Sequence, residues 1–266
     1  MQAQPFTDAD IKHINELQPE GWYDISAPFD FYTKSSFCFP IKIVLENNII
    51  GIGSTIVHSD VAWLGHIIVH PEHRNKGIGK FITETLIQIA KEKNCETIYL
   101  IATDLGAPVY EKVGFITETE YLFFKDVKMD VQDEVSDHII SYQECFKNQV
   151  EALDRISSGE NRMMHVDEHL QNGFLYCINE NVEGFYLPTF GNGLIIASTT
   201  NAGIELLKYH LLANENVIIP KENSTAIDFL YRNGYKEYRL AKRMRLGKER
   251  THQLKNMYNR IGGNVG

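Results

Sequence analysis

Apolar and polar positions alternate along this chain in two different rhythms, and the rhythm changes at regular intervals. Ile11, Ile14 and Leu17 fall at helical spacing behind Thr7 and Asp8, which predicts a first helix over residues 6–17. Residues 19–36 carry no period and read as irregular, aromatic-rich chain. Residues 39–46 and 49–58 are rich in Ile and Val on either side of Asn47-Asn48, the pattern of a strand hairpin, and Trp63 to Val69 reads as the next strand. Phe81, Ile82, Leu86, Ile89 and Ala90 then line one face of a helix over 80–93. A strand over 97–102, a short helix opened by Pro108 and running to Lys112, and a strand over 115–125 complete a mixed α/β order.

The acidic stretch from Asp126 to Asp137 has no sustained apolar period and reads as a linker. A chain of 266 residues is long for one domain, so the organisation expected is a domain over 1–128, a linker over 129–137 and a second domain over 138–266.

The chemistry concentrates between Gly65 and Gly79. An apolar run stops at Pro71, and Arg74-x-x-Gly77-x-Gly79 then leads into the helix. Glycines let the backbone approach a ligand, and a helix N-terminus offers unpaired N–H groups and the positive end of the dipole. Arg74 and Lys76 add formal charge, which makes this an anion cradle. The spacing is not that of a P-loop, and one Gly-x-Gly lacks the third glycine of a dinucleotide fingerprint.

A second block, Ala102 to Phe115, contains Tyr110-Glu-Lys-Val-Gly114-Phe115. Taken in this order with Val69, Pro71, Arg74, Gly77 and Gly79, the chain resembles the GNAT acyl-CoA N-acyltransferases, closely over residues 40–125. The resemblance implies acetyl-CoA as co-substrate and acetyl transfer to a primary amine by direct attack in a ternary complex. It implies that main-chain groups at Ile68 and Val69 hold the pantetheine arm and the acyl oxygen. Arg74, Asn75, Lys76, Gly77, Ile78, Gly79 and Lys80 would wrap the pyrophosphate, and Tyr110 would protonate the departing thiolate. Thr103 stands where many members carry Asn and would bond the cofactor arm; Gly106 stands where they carry Ala. Trp63 occupies the position of the glutamate base of histone-acetylating members and cannot accept a proton, which leaves His66 on the same strand as the candidate base. A sensor that binds acyl-CoA without turnover is the alternative reading. Aromatic residues Trp22, Tyr23, Phe29, Phe31, Tyr32 and Phe37, with Asp24 and Asp30, lie where the family's acceptor loops lie, and either bind an amine or pack the domain interface.

The second half echoes the first. Asn223 to Tyr235 resembles the family's later block, so the expected fold is a tandem of two such mixed-sheet domains. Aligning Gly234 with Gly114 puts Leu230 in place of Tyr110, and aligning Gly203 with Gly79 puts Ser198 in place of Arg74. The second copy is therefore read as degenerate and without CoA, although a slip of one residue would bring Tyr231 to the tyrosine position.

Composition narrows the partners. A net charge of −9 disfavours nucleic acid and anionic membranes and suits a cationic acceptor, a small-molecule or peptide amine. The four cysteines, Cys38, Cys95, Cys145 and Cys177, form no Cys-x-x-Cys pair, and the polar first residues lack the pattern of a signal peptide. A cytoplasmic monomer or homodimer is expected. His165 and His169 stand at i, i+4 without a third ligand nearby, so no metal site is expected.

Overall fold

The structure, a computed structural model, describes residues 2–128 and 135–266; most of the expected linker lies outside the described residues. The chain divides into two compact units, residues 1–117 with 244–249 and 263–265, and residues 118–243 with 250–262 and 266.

In the first unit a short strand β1 (Ala3–Pro5) is followed by two 3-10 turns, Asp8–His13 and Asn15–Leu17, where periodicity had predicted one helix. Thr7 and Asp10 close a capping box that starts the first turn, and Ile14 sits between the two turns, so the apolar residues still face inward. The helix α1 (Ser26–Lys34) forms inside the stretch read as irregular, and it buries Phe29 and Tyr32. The strands β2 (Cys38–Leu45) and β3 (Asn48–His58) make the predicted hairpin, turned by Glu46 and Asn47 in the left-handed region. They are followed by β4 (Val61–Val69), α2 (Ile78–Glu92), β5 (Thr97–Ala102) and α3 (Ala107–Lys112); β6 (Ile116–Phe124) comes next and belongs to the second unit from Glu118 onward. The sheet order is β1-β2-β3-β4-β5, with all pairs antiparallel except β4 and β5.

The core of this unit is the face of α2 against the sheet. Ile78, Ile82, Leu86, Ile87 and Ala90 are buried with Ile41, Ile43, Ile50, Leu64 and Leu100. Each large apolar side chain buried in this way contributes roughly 1.5–3 kcal/mol. Gly51 and Gly53 allow the close approach: a β-carbon at Gly51 would stand 2.8 Å from Ile82 Cδ1, and one at Gly53 2.9 Å from Leu86 Cδ1.

The second unit contains β7 (Ile139–Ser141), α4 (Lys147–Ser158), α5 (Met163–Val166), β8 (Phe174–Ile178), β9 (Asn181–Leu187), β10 (Leu194–Ala197), α6 (Thr200–Leu211), β11 (Val217–Pro220), α7 (Ser224–Arg232), β12 (Arg239–Gly247) and β13 (Met257–Asn259). One sheet runs β13-β10-β9-β8-β7, and β11 pairs antiparallel with β6. Leu206, Leu207, Ile195, Ile219, Ile227 and Leu230 form its core. The later residues of β12, 244–247, belong to the first unit. Among the described residues no helix is long and apolar enough to cross a membrane.

Candidate functional site

The anion cradle takes its shape from the end of β4. Pro71 starts a 3-10 turn, Pro71–His73, whose cap His70 accepts from the Glu72 amide at 3.3 Å. Asn75 at φ 60° and Gly77 at φ 81° then take two left-handed steps, a geometry that turns successive amides toward a common centre. Gly77 is the N-cap of α2 and brings no capping side chain, so the first-turn N–H groups point at open ground. A β-carbon on Gly77 would meet nothing within 4 Å, and one on Gly79 only Val69 Cγ2 at 3.8 Å.

The cations around this turn differ. Arg74 is exposed and donates Nε to the Val69 carbonyl at 3.2 Å, and Lys76 donates to the Glu72 carbonyl at 3.0 Å. Both are held by neutral carbonyls and keep their charge for a ligand. Lys80 lies 3.7 Å from Glu84 on an exposed helix face, so its charge is already shared. Asn75 is exposed, whereas the Ile78 side chain is buried in the core and can contribute only its amide.

Beside the cradle, β4 is irregular. Ser54 opposes Gly65 and Ile52 opposes Ile68, so three steps on β4 span two on β3, and His66 takes φ 50° in the resulting bulge. Parallel pairing with β5 runs only from Val61–Thr97 to Leu64–Leu100. Beyond Leu64 the main chain of residues 65–69 has β3 on one side and no paired strand on the other among the described residues. The side chain of Ile68 is buried and that of Val69 half-buried.

Tyr110 is buried on α3, and burial raises its phenol to about 12. Its ring lies on the Gly106 backbone, where a β-carbon would stand 2.8 Å from Tyr110 Cε2, and meets Phe115 edge-on at 6.2 Å. An alanine at this position would press on the ring, so Gly106 is matched to this placement of Tyr110. Thr103 Oγ1 accepts from the Gly106 amide at 3.3 Å, which ties the end of β5 to the start of α3 and leaves the hydroxyl proton to be donated.

His66 stands in an aromatic nest. Trp22, Phe29 and Tyr32 approach its ring at 6.2, 5.9 and 5.7 Å, and burial lowers it to about 4. Its Nδ1 lies 2.8 Å from the Tyr32 hydroxyl, which also accepts from Asn264 Nδ2 at 2.5 Å. With the phenol oxygen accepting from Asn264, its own proton goes to His66 Nδ1, and the neutral imidazole keeps its proton on Nε2. Asn264 has no counterpart in the sequence reading. No local pattern marks a residue 232 positions from its partner. Trp63, buried against Tyr99 at 5.1 Å, is a core residue.

The second unit has a differently furnished helix start. Thr199 caps α6 by accepting from the Ala202 amide, and its hydroxyl donates to Glu183 at 2.7 Å. The ring of Tyr258 covers Gly203 so closely that a β-carbon there would stand 2.0 Å from Cζ. Where α2 is open and flanked by cations, α6 is capped by a hydroxyl, flanked by a carboxylate and roofed by an aromatic ring. Counted from the helix starts, Gly79 is the second residue of α2 and Gly203 the fourth of α6. The tyrosine position is clearer. Phe115 and Tyr235 donate to the carbonyls of Tyr110 and Leu230, and Gly114 and Gly234 are both left-handed. Leu230 is thus the counterpart of Tyr110, and Tyr231 is half exposed on Glu237 at 2.9 Å. His165 and His169 pack their rings on Phe190 at 4.6 and 4.5 Å.

Comparison with known proteins bears on the family and the fold. The profile of the acetyltransferase (GNAT) family matches residues 7–115. A glucosamine 6-phosphate N-acetyltransferase of Schizosaccharomyces pombe is 43% identical over 53 residues, 19% of this chain and 48% of that protein. The curated relatives are covered over 11% to 64% of their own lengths. A crystallised candidate acetyltransferase of Pyrococcus horikoshii superposes with a TM-score of 0.82 at 20% identity, covering 100% of this chain and 95% of that one. A tandem GNAT protein from the clavulanic acid biosynthesis pathway superposes with a TM-score of 0.58 at 11% identity, covering 92% of this chain and 98% of that one. Members of the family use acetyl-CoA and acylate amines. Residues 7–115 thus match the acetyltransferase (GNAT) family, and the chain as a whole shares its fold with crystallised proteins that include a tandem GNAT protein.

Proposed function

We propose that the first unit transfers an acetyl group from acetyl-CoA to a primary amine on a small molecule or peptide, by direct attack in a ternary complex. The observation that carries this reading is the uncapped start of α2, with Arg74 and Lys76 beside it and the unpaired edge of β4 at residues 65–69 adjoining it in sequence. Amides of residues 76–80 bind the pyrophosphate, and the free main chain of β4 holds the pantetheine arm and polarises the thioester carbonyl. The neutral amine attacks that carbonyl carbon. The C–N bond forms, the C–S bond breaks, and the thiolate takes a proton from Tyr110 while the amine loses one to solvent. Holding both reactants in line supplies most of the acceleration expected of such a site.

His66 fits an orienting role in this scheme, since its Nδ1 is engaged by Tyr32 and burial keeps it neutral. The second unit is a degenerate copy that takes no CoA, its helix start being already occupied by Thr199, Glu183 and Tyr258. Incubation of the chain with acetyl-CoA and a panel of amines tests the reading. Free thiol released in step with acetylated amine supports it, and tight binding of acetyl-CoA with no thiol release from any amine would leave a sensor instead.

A further inference from the structure

Among the buried arginines of the second unit, Arg162 and Arg243 are neutralised in place. Arg162 forks onto Asp154, with Nε 3.0 Å from Oδ2 and Nη2 2.8 Å from Oδ1. Arg243 Nε lies 3.0 Å from Glu118 Oε2. Arg260 is 5% exposed, and among the described residues no Asp or Glu side chain forms an ion pair with it. Of its five N–H donors, the guanidinium uses Nη1 on the Gly262 carbonyl at 3.1 Å, and Nε is buried with no acceptor. Burial, reinforced by the like charge of Arg239, lowers it to about 10. A guanidinium buried without an opposite charge is strongly unfavourable unless a ligand supplies one.

The surroundings define what that ligand offers. Tyr121 and Phe123, on one face of β6, place their rings 5.2 and 5.0 Å from the Arg260 guanidinium carbon. Arg239, exposed, lies 5.2 Å over the same Phe123 ring. Two guanidinium groups therefore share one aromatic ring, one buried and one at the surface. Rings cover the faces of a guanidinium and leave its in-plane N–H edge, which matches paired oxygens of a carboxylate or phosphate.

We propose that the second unit binds an oxyanion, the carboxylate or phosphate of a small organic ligand, on Arg260 and Arg239 around Phe123. No residue of the α2 cradle takes part, and the site does not rest on acetyl transfer. The test uses the intact chain carrying Arg74→Ala, so that phosphate at the cradle contributes nothing. Thermal unfolding is followed with inorganic phosphate and, separately, with glutarate, each against sodium chloride of equal ionic strength. The expected result is a rise in melting temperature beyond chloride in at least one arm: phosphate alone identifies a phosphate ester, glutarate alone a carboxylate. Adding Arg260→Met abolishes the rise, and adding Arg239→Ala weakens the apparent affinity by roughly 10-fold. A rise that survives Arg260→Met unchanged, or no rise above chloride with either anion, overturns the proposal. Should Arg260→Met fail to fold, Arg239→Ala decides, and an unaltered response in that variant overturns the proposal as well.

Discussion

Asn264 donates to the Tyr32 hydroxyl at 2.5 Å, joining two residues of the first unit that lie 232 positions apart. Through Tyr32 the contact extends to His66 Nδ1, so a side chain late in the sequence fixes the ring orientation of a histidine in the β4 bulge. Gly65 makes room for it, since a β-carbon there would stand 2.5 Å from Asn264 Cβ and 3.2 Å from its Cα.

Asn264→Ala removes one hydrogen bond to a buried phenol and is expected to cost about 1 kcal/mol, a shift of roughly 2–4 °C in melting temperature. Gly65→Ala pushes the backbone at Asn264 and is expected to cost about 1–3 kcal/mol. If the Tyr32–His66 pair shapes the acceptor side, both variants raise the KM for the amine and leave that for acetyl-CoA unchanged. Steady-state kinetics varying each substrate in turn checks this, and equal changes in both constants would count against it.

Tyr110→Phe keeps the ring on Gly106 and Phe115 and removes only the hydroxyl. Its melting temperature should stay close to that of the parent chain, while kcat falls by roughly 10²–10⁴-fold with little change in acetyl-CoA affinity. Gly106→Ala should lower kcat without touching the hydroxyl, because the added methyl displaces the ring. Stopped-time thiol release with both variants separates loss of the proton donor from loss of its position.

Much of the first unit was legible because its signals are local. The 3.6-residue period from Phe81 to Ala90 and the apolar run of residues 97–102 came out close to the helix Ile78–Glu92 and the strand Thr97–Ala102. Phe6 to Leu17 misled because two 3-10 turns present apolar residues at nearly helical spacing. The helix Ser26–Lys34 went unseen because its aromatic residues obscure the period and Pro28 sits in its first turn. Two facts had no local signal at all. Residues 244–249 and 263–265 return to the first unit, and Arg260 is buried with no Asp or Glu side chain paired to it among the described residues.

The return of residues 244–249 bears on truncation. Met244 is buried in the core of the first unit, and Thr97 donates to the Lys248 carbonyl at 2.8 Å. A chain stopped after residue 128 loses these and Asn264, and is expected to be insoluble or to unfold well below the intact chain. Circular dichroism of such a chain, or its recovery in inclusion bodies, checks this; a cooperative transition at the intact chain's temperature would contradict it.

pH dependence follows from the two perturbed groups. His66 is lowered to about 4 in the folded chain against about 6.5 for a free imidazole. Between those values the unfolded chain binds the extra proton, so the contribution is fully present above about pH 6.5 and is lost as pH falls toward 4. His66→Asn, which tolerates the left-handed backbone, should flatten that part of the stability profile measured by denaturant titration. Tyr110, raised to about 12, stays protonated through neutral pH, so it should impose no alkaline loss of kcat below about pH 10.

Calorimetric titration of acetyl-CoA into the intact chain tests the central claim most directly. With the cradle at α2 open and the start of α6 occupied, one molecule should bind per chain. Arg74→Ala should weaken that binding by about 1.5–3 kcal/mol, Lys80→Ala by distinctly less because its charge is shared with Glu84, and Ser198→Ala not at all. Two equivalent sites per chain, or affinity unchanged by Arg74→Ala, would contradict the assignment of acetyl-CoA to the first unit's cradle.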